Sequence, residues 1–154
     1  MPASLLRLPG LVCAAVLLCF VIVPVRAAES ANLRVTDAWA RWLPADLPAG
    51  GYLTLHNAGS AEVVLTGATS PDYAMVHLHE SYTAENGDQG MRMVGRLPLP
   101  PGAQVQLQPG GYHLMLMHAN HAVKPGDTVT VILEFADGST LHVALPVKPA
   151  GTQH

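Results

Sequence analysis

The sequence predicts an all-β protein, folded as an antiparallel sandwich or barrel. Between about residues 33 and 148, apolar and polar residues alternate in short runs, the pattern of strands with one buried face. Glycine, proline, asparagine and aspartate interrupt these runs about every 8 to 15 residues. No stretch in this region has the periodicity of a long amphipathic helix. Short alternating strands separated by turn residues are typical of sandwiches and barrels.

Nine strands are expected, over residues 33–41, 51–57, 62–68, 74–81, 91–96, 103–107, 112–118, 127–135 and 140–147. Their inward side chains are predicted to be Leu53, Leu55, Val63, Leu65, Val76, Leu78, Val105, Leu107, Leu114, Leu116, Val129, Val131, Leu133 and Phe135. Burying each contributes about 1.5–3 kcal/mol, enough to hold a domain of this size without a disulfide. Asn57-Ala58-Gly59-Ser60 and Ala136-Asp137-Gly138-Ser139 are predicted to be hairpin connections.

Residues 1–27 resemble a cleavable secretory signal. Arg7 precedes an apolar run over residues 11–25, and Val25-Arg26-Ala27 fits a cleavage site before Ala28. The run is shorter than the roughly 20 apolar residues that a membrane-spanning helix needs, although an uncleaved N-terminal anchor is the alternative. We therefore expect a periplasmic protein without a membrane span after cleavage.

The mature chain is expected to hold one domain over residues 28–148 and a flexible tail over residues 149–154. Both cysteines, Cys13 and Cys19, lie inside the predicted signal, and Leu18 does not fit the small residue that precedes a lipoprotein cysteine. The predicted mature chain therefore has no thiol. This argues against a blue-copper electron carrier, because that class of protein needs a Cys ligand.

The charge balance of the predicted mature chain excludes a nucleic-acid partner. Cleavage removes Arg7 and Arg26, which leaves six of the eight basic residues against 11 acidic ones. Such a chain has no basic surface for a phosphate backbone. No residues form a nucleophile motif or a paired acid and base, so we expect no enzyme activity, and we expect a monomer.

Soft metal ligands are concentrated between residues 75 and 117. If residues 112–118 form a strand, His113, Met115 and Met117 share one face. By the same alternation Met75, His77 and His79 share a face of an earlier strand, and Met91 and Met93 share a face after a polar loop. Thioether sulfur and imidazole nitrogen suit Cu(I) far better than Mg²⁺ or Ca²⁺. Three segments could therefore converge on one soft monovalent ion.

The spacing of these residues resembles the signature of a known family. His79 is followed after 11 residues by Met91, and Met91 after 21 residues by His113-Leu114-Met115. This looks like the PCu(A)C-type periplasmic copper chaperones, which serve the dinuclear copper centre of cytochrome c oxidase. Further similar stretches are Ala38-Trp39-Ala40-Arg41, Gly51-Tyr52-Leu53-Thr54-Leu55-His56-Asn57, Leu97-Pro98-Leu99-Pro100 and Pro109-Gly110-Gly111-Tyr112. The resemblance covers residues 34–147.

The resemblance implies a cupredoxin-like, Greek-key fold that binds one Cu(I) per chain. It implies that the ligands are His79, Met91, His113 and Met115. The family usually has 10 residues between the first His and the Met, so the additional residue is expected in the loop before Met91. Lower-ranked candidates for the site are Met93, which is the alternative to Met91, His77 and Met117.

The resemblance further implies a partner that receives copper, either an oxidase subunit or another copper chaperone. A periplasmic copper buffer or resistance protein would use the same ligands, and the sequence does not separate these two functions. A third hypothesis is a binding module in which the Met and His residues are incidental. His118, His121 and His154 could form a weak secondary Cu(II) site, because imidazoles suit that ion.

Overall fold

The computed structural model describes residues 28–44 and 47–152, and nearly all of its regular structure is β-strand. A short 3-10 helix, Glu29–Asn32, precedes the strands. The strands are β1 (Leu33–Arg41), β2 (Ala49–Asn57), β3 (Val63–Thr69), β4 (Tyr73–Thr83), β5 (Gln89–Met93), β6 (Leu97–Leu99), β7 (Gln104–Leu107), β8 (Tyr112–Ala119), β9 (Thr128–Phe135) and β10 (Thr140–Lys148). Within the described ranges, no helix is long and apolar enough to cross a membrane. The predicted signal peptide lies outside the described residues.

The ten strands form one hydrogen-bonded sheet in the order β5-β4-β8-β7-β2-β1-β10-β9-β3-β6, with an additional pairing of β8 with β2. The all-β prediction is confirmed. The sheet is mixed rather than wholly antiparallel, because β1 runs parallel to β10 and β7 runs parallel to β8. β7 and β8 run in the same direction because both pair antiparallel with β2. β1 and β10 are the first and last strands of the described residues, so no tight turn joins them and a parallel pairing is possible.

Both halves of the sheet contribute to one core. Leu55 of β2, Leu78 of β4 and Leu114 of β8 belong to the same buried cluster as Leu65 of β3 and Val131 of β9. The predicted inward residues are all buried except Val105, which is partly buried. Because side chains alternate along a strand, the core positions of β4 and β8 direct the intervening residues to the outer face.

The link between β2 and β3 is not the hairpin that its sequence predicted. β2 pairs with β1, β7 and β8, whereas β3 pairs with β6 and β9. The buried Asn57 side chain anchors the crossing by donating to the carbonyls of Ala61 and Leu99, at 2.8 and 2.9 Å. The bond to Leu99 spans 42 residues, so the local pattern does not indicate it. The expected hairpin between β9 and β10 does form, with Gly138 at a φ of 82°.

β6 was absent from the predicted strands. The sequence indicated a strand over residues 91–96, but β5 ends at Met93 and a separate short strand, Leu97–Leu99, pairs with β3. Its two leucines are buried and Pro98 between them is exposed. Three residues carry too little alternation to be recognised, and a proline is accommodated here because β6 is the terminal strand of the sheet.

Candidate metal centre

Strands β5, β4 and β8 lie side by side at one end of the sheet and bring the soft ligands together. The register pairs His79 of β4 with His113 of β8 on one side and with Met93 of β5 on the other. His77 is opposite Met115, Met75 is opposite Met117, and Ser81 is opposite Met91. We call this surface the His/Met face; it comprises Met75, His77, His79, Met91, Met93, His113, Met115 and Met117.

His79 and Met91 are in direct contact. The Nδ1 atom of His79 lies 3.0 Å from the sulfur of Met91, although the backbone of Met91 pairs with Ser81 one row away. Met93 is the direct backbone partner of His79, but its side chain is 64% exposed, against 49% for Met91. The geometry therefore favours Met91 over Met93 as the sulfur partner of His79.

His113 is the most enclosed member of the His/Met face, with 8% of its surface exposed. Its Nδ1 atom lies 3.0 Å from the carbonyl oxygen of Gly111. A carbonyl can only accept, so Nδ1 carries the proton and donates it, which leaves the lone pair of Nε2 available. Such a backbone hydrogen bond orients an imidazole ligand and selects its tautomer.

The two paired imidazoles influence each other. The ring centroids of His79 and His113 are 6.0 Å apart, with the planes at 76°. Desolvation lowers the pKa of His79 below its usual value, and the neighbouring His113 and His77 lower it further because a second positive charge there is unfavourable. A lowered pKa keeps His79 neutral, the form that binds a metal ion, down to a more acidic pH.

The hairpin that presents Met91 is held from the other side of the sheet. Glu80 accepts hydrogen bonds from Nε and Nη2 of Arg92, at 2.8 and 2.7 Å, across the β4–β5 pair. The guanidinium carbon of Arg92 also lies 5.7 Å from the centroid of the Tyr82 ring. The connecting turn, residues 84–88, includes Gly87 at a φ of 87° and a hydrogen bond from Ala84 N–H to the Asp88 carbonyl. This turn can accommodate the additional residue relative to the family spacing.

The remaining candidates occupy the next rows of the same face. Met115 follows His113 along β8 and is partly buried, opposite the half-buried His77. Met117 is one row further and lies opposite Met75, which is 41% exposed. Met75 was not among the predicted site residues, although the alternation that placed His77 and His79 on one face also included it. The structure thus brings all the predicted ligands onto one surface and adds Met75.

The suggested secondary Cu(II) site is not assembled in the part of the chain that the structure describes. Nε2 of His121 lies 2.8 Å from a carboxylate oxygen of Asp72, an ion pair when the imidazole is protonated. His118 is exposed at the end of β8, and His154 lies outside the described residues. Across residues 28–44 and 47–152, no three side chains of His, Cys, Asp or Glu form a metal-binding group.

These features define a class of protein: a cupredoxin-like β domain whose outer face carries paired imidazoles and thioethers suited to a soft metal ion. Residues 33–147 match the family described as "Putative lipoprotein LpqE-like", and the chain belongs to this family of PCu(A)C copper chaperone domains. The family resemblance that the sequence suggested is confirmed.

Relatives of known name or structure agree with this membership. "Putative lipoprotein Lxx21020" of Leifsonia xyli subsp. xyli (strain CTCB07) is 33% identical over 120 residues, or 78% of this chain and 72% of that protein. The solution structure of the Cu(I) form of DR1885 from Deinococcus radiodurans is 34% identical in sequence and has a TM-score of 0.58. The match covers 79% of this chain and 83% of that chain. The copper-bound PCuAC domain of PmoF2 shares the fold, with 21% identity, 77% and 93% coverage, and a TM-score of 0.62.

Proposed function

We propose that this protein binds one Cu(I) ion as cargo through His79, Met91, His113 and Met115. The observation that carries the proposal is the 3.0 Å contact between His79 Nδ1 and the Met91 sulfur, with His113 paired on the other side of His79. The 34% identity to a protein whose solved structure is a Cu(I) form supports the choice of ion.

The ligand set explains selectivity for Cu(I). Two imidazoles and two thioethers are all neutral, so the bound ion keeps its charge, and soft sulfur disfavours Zn²⁺ and hard ions. A thioether has no proton to lose, whereas each imidazole must be deprotonated to bind. Copper affinity therefore weakens as the pH falls through the lowered pKa of His79.

The site is suited to handing the ion on rather than to turnover. Met91 is half exposed on a strand at the end of the sheet, so an incoming ligand can replace its sulfur while the enclosed His113 still holds the ion. Stepwise exchange of this kind requires no catalytic group. We infer a monomeric, exported metallochaperone that supplies copper to the dinuclear centre of cytochrome c oxidase, through an oxidase subunit or another copper chaperone.

A competition titration with a Cu(I) chelator tests the binding. The unaltered protein should take up one tightly bound ion, and a Met91→Ala/Met115→Ala double variant should bind at least about a hundredfold more weakly, a loss of roughly 2.7 kcal/mol. His142→Ala, which removes an exposed imidazole from β10, is the matched control. An unchanged Cu(I) affinity in the double variant would contradict the assignment of Met91 and Met115 as ligands.

A copper buffer without a delivery target is the second candidate, because it would use the same ligands. The two functions differ in what the host loses. Deleting a delivery protein lowers oxidase activity at limiting copper, and the unaltered chain, but not the double variant, restores it. Deleting a buffer changes copper tolerance and leaves oxidase activity intact.

Export is testable on the mature protein. We expect the N-terminal residue of protein from the periplasm to be Ala28, with cleavage after Ala27. A mature chain that begins with a lipid-modified Cys19 would instead make this protein a lipoprotein like those its relatives are named for. Intact mass spectrometry distinguishes the two products, because the second one carries residues 19–27 and acyl chains.

A further inference from the structure

Strands β4 and β8, which carry three of the four proposed copper ligands, keep the same alternation of side chains beyond the row of His79 and His113. Beyond the row of His79 and His113, the register pairs His77 with Met115, and one row later Met75 with Met117. Side chains two residues apart on a strand point to the same side. The His/Met face therefore extends for two rows beyond the first pair of imidazoles.

Packing does not account for three of the five methionines of this face. Five large hydrophobic side chains are exposed in the described parts of the chain: Leu47, Met75, Tyr82, Met91 and Met93. Three of the five are methionines of the His/Met face. Methionine usually fills irregular gaps in a core, where its apolar surface is removed from water. Retaining three thioethers in solvent on one surface indicates that the sulfur itself has a use.

The spacing allows one ion to reach three ligands beyond the first site. Directly opposed residues of an antiparallel pair have Cβ atoms about 5 Å apart, and successive rows are about 7 Å apart. Met75 and Met117 are opposed, and His77 is one row from Met75 on the same strand. Methionine has three rotatable bonds, so two opposed sulfurs can converge above the sheet beside the imidazole.

We propose that Met75, His77 and Met117 form a second binding position for Cu(I), adjacent to the first along β4 and β8. This inference rests on the proposed function, since it extends the same face for the same cargo. The ligands of the two positions do not overlap: the first uses His79, Met91, His113 and Met115. The His77 and His79 ring centroids are 5.9 Å apart, so a ligand of one position lies beside a ligand of the other.

A second position so close to the first would bind more weakly and would give the ion a path across the protein. Two monovalent ions about 7 Å apart repel each other, though only modestly where water screens the exposed face. An ion could be captured at one position and passed to the other by exchange of neutral ligands. The transfer changes neither the oxidation state of copper nor the protonation of the thioethers.

The test is a titration of the metal-free full chain with Cu(I) under a series of chelators of graded affinity, read by native mass spectrometry. We expect two ions per chain, the second bound at least about tenfold more weakly. A Met75→Leu/Met117→Leu variant should lose the second step and keep the first within twofold. Leucine preserves the apolar volume, and the singly substituted Met75→Leu, altered at an exposed position, should weaken the second step without affecting folding.

The outcomes separate the two proposals. A titration that ends at one tight ion in the unaltered chain overturns the second position and leaves the proposed function standing. Absence of any tight ion overturns both. A second step that survives in both methionine variants, and also in His77→Ala, overturns the assignment of its ligands. Titration with Ag(I), a redox-inert soft ion, should shift the methyl NMR signals of Met75 and Met117 only after the first equivalent.

Discussion

The strand pairs β4–β8 and β9–β10 lie in opposite halves of the sheet and are built on the same inward pattern. Val76, Leu78, Leu114 and Leu116 fill the core from the first pair, and Val131, Leu133, Val143 and Leu145 from the second. Their outward residues differ. β9 and β10 present ordinary polar residues such as Thr130, Glu134 and His142, whereas β4 and β8 present only methionine and histidine from Met75 to His79 and from His113 to Met117.

The comparison shows that the inward and outward side chains of a pair of strands have different roles. The inward side chains hold the fold and are equivalent in the two halves. Exposed outward side chains such as Met75 contribute little to packing, so they are free to carry chemistry, and in one half of the sheet the outward residues form a row of soft ligands. Stability and copper binding should therefore respond to different substitutions, which makes the comparison testable.

The largest expected effect is on the core. Leu114→Ala in one pair and Leu133→Ala in the other should each lower the free energy of unfolding by about 2–5 kcal/mol, because both leucines are fully buried. Denaturant unfolding of the metal-free protein measures this. His142→Ala on the outer face should change stability by no more than about 0.5 kcal/mol. If one leucine variant lowers the free energy of unfolding by less than about 1 kcal/mol, the two inward faces do not contribute equally to stability.

The outer face should show the opposite balance. Met91→Leu removes one sulfur from a half-exposed position, so the unfolding free energy of the metal-free protein should change by no more than about 0.5 kcal/mol. Its Cu(I) affinity should fall at least about tenfold, or roughly 1.4 kcal/mol. Chelator competition and unfolding are measured on the same preparation, with His142→Ala as the control. Loss of stability in proportion to loss of copper would contradict the separation of the two faces.

In the metal-free protein, the pKa values of two histidines should be shifted in opposite directions from the usual value. Desolvation together with His113 and His77 lowers the pKa of His79, whereas the hydrogen bond to Asp72 raises the pKa of His121. NMR titration of the imidazole signals should place His79 below 6.5 and His121 above it. In an Asp72→Asn variant the His121 pKa should move back toward 6.5 while that of His79 stays unchanged.

The same shifts give opposite pH dependences of stability. As the pH falls below about 6.5, the unfolded chain takes up a proton at His79 more readily than the folded chain does. The free energy of unfolding therefore decreases as the pH falls from about 6.5 toward the lowered pKa of His79. The contribution of His121 is complete below about pH 6.5 and is lost as the pH rises through its raised pKa. Differences in unfolding free energy between the parent and each single His→Ala variant, measured across this range, should have opposite slopes.

The smallest expected effect concerns the hairpin behind the His/Met face. Arg92→Ala removes the ion pair with Glu80, which lies at the surface and is screened by water. Global stability should barely change, but amide hydrogen exchange in β5 should become faster, because β5 is a terminal strand that, among the described residues, pairs only with β4. Arg96→Ala, an exposed arginine just beyond β5, is the control. Unaltered exchange at Met91 and Met93 would show that the ion pair does not order the strand.

Much of the fold could be predicted from local pattern, and the failures have a common cause. Alternation correctly predicted the burial of the inward residues from Leu53 to Phe135 except Val105, which is partly buried, because a strand directs every second side chain to the same side. It missed β6 and took the link after Asn57 for a hairpin. Both depend on partners far away in the chain: β6 forms by pairing with β3, and Asn57 bonds to the Leu99 carbonyl 42 residues later.

For the proposed copper site, the sequence by itself determined which residues share a face, because the direction of each side chain along a strand depends only on that strand's own alternation. It also determined the ligand types and hence the soft character of the site. Only the tertiary structure decided which faces meet. The register of β4 between β5 and β8 sets His79 against His113 and within 3.0 Å of Met91, and brings Met75 opposite Met117. Strand order and register arise from burying both halves of the sheet in one core, and no single segment contains that information.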